Sequence, residues 1–163
     1  MWVPPDAEAV TREWEGRKSG HRTLGACGPC ALAAVLERSV AEVLGVWEAA
    51  TGKPYQGYAP RRQERAVLAH LGFGALARPG KPQGYTWPRL EEGEVALASV
   101  KWHPHEEWHH WFDQESHVIG LARLGGQLLA YCNGLNEWVR VDVLDAQDYL
   151  KGAHISSYLL VRS

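Results

Sequence analysis

The apolar residues of this chain change period near residue 95, and that change restricts the folds open to it. Before it, the spacing is helical. Cys27 to Arg38 carries Cys30, Ala31, Ala34, Val35 and Arg38 three and four residues apart. Ser39-Val40-Ala41-Glu42 has the form of a helix cap, predicting a second helix to about Ala50 that Gly52 stops. Pro60 to Leu71 predicts a third, with Val67, Leu68 and Leu71 on one face and Gly72 at its end. Arg78 to Trp87, with Pro79, Gly80, Pro82 and Gly84, predicts a loop. After it, five segments predict strands: Val95 to Lys101, His117 to Leu124, Gln127 to Cys132, Trp138 to Val143 and Ile155 to Val161. A short helix is predicted from Asp145 to Leu150. Helices first and an antiparallel sheet second is an α+β order, because βαβ alternation is absent.

At 163 residues the chain is read as a single domain, 1–163, large enough for a core of its own. A hydrophobic share of 45% and a charged share of 22% exclude disordered and coiled-coil chains. The formal net charge of -2 provides no basic field to hold a polyanion, so nucleic acid is not an expected partner. Runs such as Cys30 to Leu36 fall far short of the roughly 20 apolar residues a membrane helix needs, and Met1 to Asp6 lacks the features of a signal peptide. Three cysteines is an odd number for a disulfide framework, which predicts a reducing, cytoplasmic setting.

Gly25-Ala26-Cys27-Gly28-Pro29-Cys30 runs directly into the first helical segment and places Cys27 at a helix start. Unpaired backbone N–H groups and the positive end of the helix dipole favour a thiolate there, so Cys27 is expected to be the most reactive thiol. Cys27-Gly28-Pro29-Cys30 is also identical to a thioredoxin dithiol, which keeps a redox reading open. Its surroundings differ from a thioredoxin's: the polar Arg17 to Thr23 stands where a buried strand would be. Cys30 is accordingly expected to be a core residue.

A nucleophilic cysteine needs a base, and that base needs a third group to orient it. His117 opens the apolar strand Ser116-His117-Val118-Ile119-Gly120-Leu121, and Asn133 ends the neighbouring one in Tyr131-Cys132-Asn133-Gly134. A helix-start Cys, further helices, then a sheet with His at a strand start and Asn on the next strand resembles the papain-like cysteine peptidase superfamily. The similarity is nearest to its small bacterial branch, the bacteriocin-processing, ABC-transporter-associated peptidase domains. Gly25 to Leu32 resembles the Asp-Cys-Gly-Pro-Ala-Ala-Leu block of that branch. Leu90 to Leu97 and Ser116 to Leu121 resemble its Leu-x-x-Gly-x-Pro block and its His-Phe-Val-Val strand.

The resemblance implies a papain-like fold, with N-terminal helices packed on a C-terminal antiparallel sheet. It further implies a thiol hydrolase or acyl transferase acting on a peptide or protein substrate, with no cofactor. Cys27 would be the nucleophile, His117 the general base and Asn133 the orienting group. The oxyanion hole would combine the Cys27 backbone N–H with position 21, which is His21 where relatives usually carry Gln. The missing Gln leaves a non-catalytic binding module on the same fold as an alternative. The stretch from His103 to Asp113 holds four of the eight histidines, in no established metal-ligand spacing, and is read as a loop lining the cleft rather than a metal site.

The hairpin between His117 and Asn133 tests the triad by counting. Side chains alternate faces along a strand. A regular two-residue Gly125-Gly126 turn would set Asn133 opposite Val118, facing away from His117. The triad therefore predicts an odd-length glycine loop or a bulge in this hairpin, which would set Asn133 opposite His117 with its side chain directed at the ring.

Overall fold

A computed structural model of the protein describes residues 1–20, 22–80, 87–102, 116–150 and 153–163. Helix α1 (Ala7–Glu15) leads through a two-stranded ribbon, β1 (Lys18–Ser19) and β2 (Arg22–Thr23), into α2 (Cys27–Leu36), α3 (Val40–Thr51) and α4 (Arg61–His70). The strands β3 (Gly74–Pro79), β4 (Val95–Trp102), β5 (Ser116–Leu124), β6 (Gln127–Cys132) and β7 (Glu137–Arg140) follow, then the short α5 (Val141–Ala146) and β8 (Ala153–Arg162). The sheet has six strands in the order β3-β8-β4-β5-β6-β7, each pair antiparallel. The α+β expectation is met.

One sheet face, bearing Leu97, Val118, Tyr131 and Leu159, packs under α1 to α4. The other face carries Ala98, Val100, Ile119, Leu121, Ala130, Cys132 and Ile155 and is covered by Leu90, Leu144 and Leu150. On the helical side α2 is central. Every residue from Gly28 to Val35 is buried, which accounts for its lack of any polar side chain. The predicted end at Arg38 comes two residues early, because Glu37 turns into the left-handed region at φ 55°.

The caps hold elsewhere. Ser39 Oγ accepts from Glu42 N at 3.1 Å, and Asp6 adds both carboxylate oxygens to the same helix start, accepting from Val40 N and Ala41 N at 2.8 Å each. Gly52 ends α3 at φ 87°. Helix α1 has no counterpart in the sequence reading. Only Ala7, Thr11 and Trp14 are buried along it, a stripe too sparse to stand out in a polar segment. Two further expectations are corrected. Arg78 and Pro79 belong to β3, where the sheet edge tolerates a proline, and Val141 to Val143 turn into α5 instead of extending β7.

A close seat at Gly120 brings α2 onto β5. A Cβ on Gly120 would lie 2.9 Å from Val35 Cγ1 and 3.4 Å from Trp138 Cη2, so the helix rests where the strand lacks a side chain. From Val35 back to Cys27 the helix runs about 12 Å. From Gly120 back to His117 the strand runs about 10 Å, so the two starts arrive together.

The hairpin expectation is overturned. Leu124 pairs with Gln127, Arg123 with Leu128 and so on to Gly120 with Tyr131, without a shift. Gly125 and Gly126 make a regular two-residue turn with φ 61° and 76°, the primed geometry that suits the twist of the strands. The Glu92 carboxylate holds it by accepting from both glycine N–H groups, at 2.9 and 2.6 Å. Carried onward, this register sets Asn133 opposite Val118 and Cys132 opposite Ile119, so Cys132 shares a face with His117.

Replacing Gly120 with Ala is expected to push α2 off β5 and cost about 1–3 kcal/mol, the usual penalty for overpacking. Urea unfolding of Gly120→Ala against the wild type measures it; an unchanged midpoint would mean that the close approach does not matter.

Candidate active site

The segment before α2 is tied down so that Cys27 has little freedom. Tyr55 Oη donates to Gly25 O at 2.6 Å, and Gly25 N donates to Gly57 O at 3.1 Å. The Tyr55 ring is wedged edge-on between Trp14 and Trp47, with centroids 4.9 Å from each. A Cβ at position 28 would stand 2.4 Å from Ala59 Cβ, so only glycine allows α2 to start this close to the segment before α4.

Cys27 is half-buried at the first residue of α2, close enough to His117 for the ring to act on its thiol. Burial pushes the thiol up. The bond to His117, the charge on that ring and the Val118 backbone N–H more than offset this and hold Cys27 below its ordinary value, against a smaller opposing push from Glu64. His117, half-buried as the second residue of β5, responds in the opposite sense. Burial alone would lower it, yet hydrogen bonds to Cys132 and Cys27, with the charges on both sulfurs, raise it to about 10. Cys27 and His117 thus act on each other, each drawing its neighbour toward the charged form.

The third position is different. His117 Nε2 lies 3.0 Å from Cys132 Sγ. Asn133 alternates to the helical face, where its Nδ2 donates to Thr11 Oγ1 of α1 at 3.2 Å. The expected Asn133–His117 pairing is corrected for the reason given by the register: a regular turn presents residue 132, not 133, to the face of residue 117. Cys132 is buried, with the Tyr149 hydroxyl and the Gly134 backbone N–H acting on its sulfur alongside His117. Burial acts upward on this thiol too, but the His117 hydrogen bond and charge, with smaller help from Tyr149 and Gly134, bring it below its ordinary value. Cys132 escaped the sequence reading, although the strand count that tested Asn133 would have found it.

Cys30 behaves as expected. It is fully buried, its sulfur lies 3.6 Å from Thr11 Oγ1, and burial pushes its thiol up to about 12. All three cysteines are free. His21 and the histidine-rich stretch 103–113 lie outside the described residues. Among the described residues no group of three His, Cys, Asp or Glu is arranged to hold a metal ion.

A second buried cluster stands behind the site and was not anticipated. Arg61 of α4 donates to Glu64 Oε1 at 3.2 Å, Ser99 Oγ at 2.6 Å, Ser157 Oγ at 2.9 Å and the Leu97 carbonyl at 3.3 Å, bolting the helix to β4 and β8. Glu64 is 1% exposed, and burial raises its carboxyl to about 7 despite Arg61.

No protein-family model matches the chain. No curated protein matches it in sequence. Among solved structures, it is similar to the peptidase domain of Streptococcus ComA, a bifunctional ABC transporter involved in a quorum-sensing pathway. The identity is 15%, over 90% of this chain and 96% of that one, with a TM-score of 0.47.

Iodoacetamide at about pH 6 is expected to label Cys27 at least tenfold faster than Cys30, which is buried and protonated, and faster than Cys132, which is shielded from solvent. Peptide mapping by mass spectrometry reads the order. Replacing Cys30 with Ala should leave the Cys27 rate within about twofold, whereas equal labelling of all three thiols would remove Cys27 as the reactive one.

Proposed function

We propose that the chain is a thiol hydrolase or acyl transferase acting on a peptide, isopeptide or related amide, with Cys27 as nucleophile and His117 as general base and acid. The observation that supports this reading is the Cys27 thiol at the start of α2 beside His117, whose ring helps hold the thiol below its ordinary value. The order of helix-start cysteine, antiparallel sheet and strand-start histidine agrees with the papain-like resemblance.

The chemistry follows from the charges. The Cys27 thiolate attacks the substrate carbonyl carbon, forming the S–C bond and moving the carbonyl π electrons onto oxygen. The backbone N–H of Cys27, at the first turn of α2, is the donor that this chain offers to the oxyanion; His21 is the expected second. As the C–N bond breaks, the His117 imidazolium gives its proton to the leaving nitrogen. The neutral ring then takes a proton from water, or from an acceptor amine, which attacks the thioester and releases Cys27.

A peptide or protein is the substrate class this chemistry serves, and nucleic acid is not a proposed partner. Among the described residues no helix is long and apolar enough to cross a membrane. Three free thiols suit a reducing compartment, and we place the chain in the cytoplasm as one domain.

Labelling with peptide acyloxymethyl ketones of varied sequence, followed by turnover of the matching amides, tests the reading. Labelling at Cys27 is expected in the wild type. Turnover should be lost in Cys27→Ala and fall roughly 10²–10⁴-fold in His117→Ala. Peptides that bind without labelling or cleavage would instead make the chain a non-catalytic binding module.

A further inference from the structure

We propose that Cys132, as a thiolate, is the positioning residue for His117, taking the place in the triad that the sequence pattern offers to Asn133. The inference rests on the reading of Cys27 and His117 as the reacting pair.

Three observations converge on Cys132. The register of the β5–β6 hairpin puts residue 132 on the face of His117, and the ring responds by directing Nε2 at Cys132 Sγ across 3.0 Å. The buried sulfur has the imidazole nitrogen at 3.0 Å, and the Tyr149 hydroxyl beyond α5 and the Gly134 N–H of the turn after β6 also favour its charged form. An imidazole held against one buried sulfur is better satisfied by a thiolate, a stronger acceptor than a neutral thiol. Asn133 meanwhile is engaged by Thr11 on the opposite side of the sheet.

A Cys132 thiolate divides the labour on the ring. Nε2 keeps its proton, donated toward the Cys132 thiolate throughout, which leaves the other ring nitrogen to exchange protons with Cys27, the leaving amine and the attacking water. Cys132 forms no bond to substrate and gives up no electrons. It fixes the tautomer and ring direction, and its negative charge stabilises the imidazolium when it forms, the part a carboxylate plays in other triads. The ionisable groups facing the ring and the sulfur are Cys27 from α2, with Glu64 of α4 behind it, and Tyr149. Cys30 and Tyr131 add weaker, like-signed influences. Removal of Cys132 therefore withdraws one of the two anions that keep His117 charged.

The test is the titration of His117, followed by NMR in histidine labelled with ¹³C and ¹⁵N and assigned with His117→Gln. The wild type should titrate well above the ordinary histidine value and show an Nε2-protonated ring when neutral. In Cys132→Ala the midpoint should drop by at least two pH units, and iodoacetamide labelling of Cys27 at about pH 6 should slow at least tenfold. Cys132→Asp should restore both, because a carboxylate supplies the charge and the acceptor. Cys132→Ser, nearly isosteric and neutral, should resemble Cys132→Ala and answers the question should the smaller variant fail to fold. Asn133→Ala should leave the His117 midpoint in place. An unmoved midpoint in a folded Cys132→Ser, or a drop in Asn133→Ala of the same size, would overturn the proposal. Neither result touches the assignment of Cys27, which falls only if wild-type Cys27 shows no preferential labelling.

Discussion

A helix that is buried on every side must be covered on every side, and α2 imposes that demand on the rest of the molecule. Its residues Gly28 to Val35 all lie in the core, so α1, α3 and the helical face of the sheet are arranged around it. The close seats at Gly28 and Gly120 remove the slack that side chains would otherwise introduce. A helix with so little room to shift carries its first residue to one place. Cys27 is that residue, and the Tyr55 hydroxyl on Gly25 secures the chain just ahead of it.

The electrostatics of the site depend on mutual pairing more than on any single group. Burial opposes charge on Cys27, on His117 and on Cys132 alike. Each can ionise because the others do: the imidazolium draws both sulfurs down, and the two sulfurs draw the ring up. Desolvation makes such pairing stronger inside the protein than it would be at the surface, and also makes it fragile, since a buried charge that loses its partner loses the reason to exist. Glu64 shows the opposite outcome close by. With burial against it and Arg61 shared among several acceptors, its carboxyl rises to about 7.

The hairpin turn connects backbone geometry to this chemistry. Two adjacent glycines adopt positive φ without strain, the Glu92 carboxylate accepts from both of their N–H groups, and the strands leave the turn in regular register. Because side chains alternate, that one choice directs Cys132 toward His117 and Asn133 toward Thr11. An insertion of one residue would exchange them.

Much of this protein is legible in its sequence. The hydrophobic period, the Ser39 cap and Gly52 specified the central helices, and the alternating runs specified the strands, because burial of one face is a local pattern that residues three, four or two apart record. The same locality placed Cys27 at a helix start and His117 at a strand start. Three things belonged to the tertiary structure alone. Helix α1 is held by three buried side chains and its packing on α2, too few to mark it in sequence. The α5 turn replaced the end of a predicted strand because the second sheet face needed Leu144 as a cover. The partner of His117 was decided by register, a relation between strands set by the turn and its Glu92 clamp, and no residue type at 132 or 133 announces which of the two will face the ring.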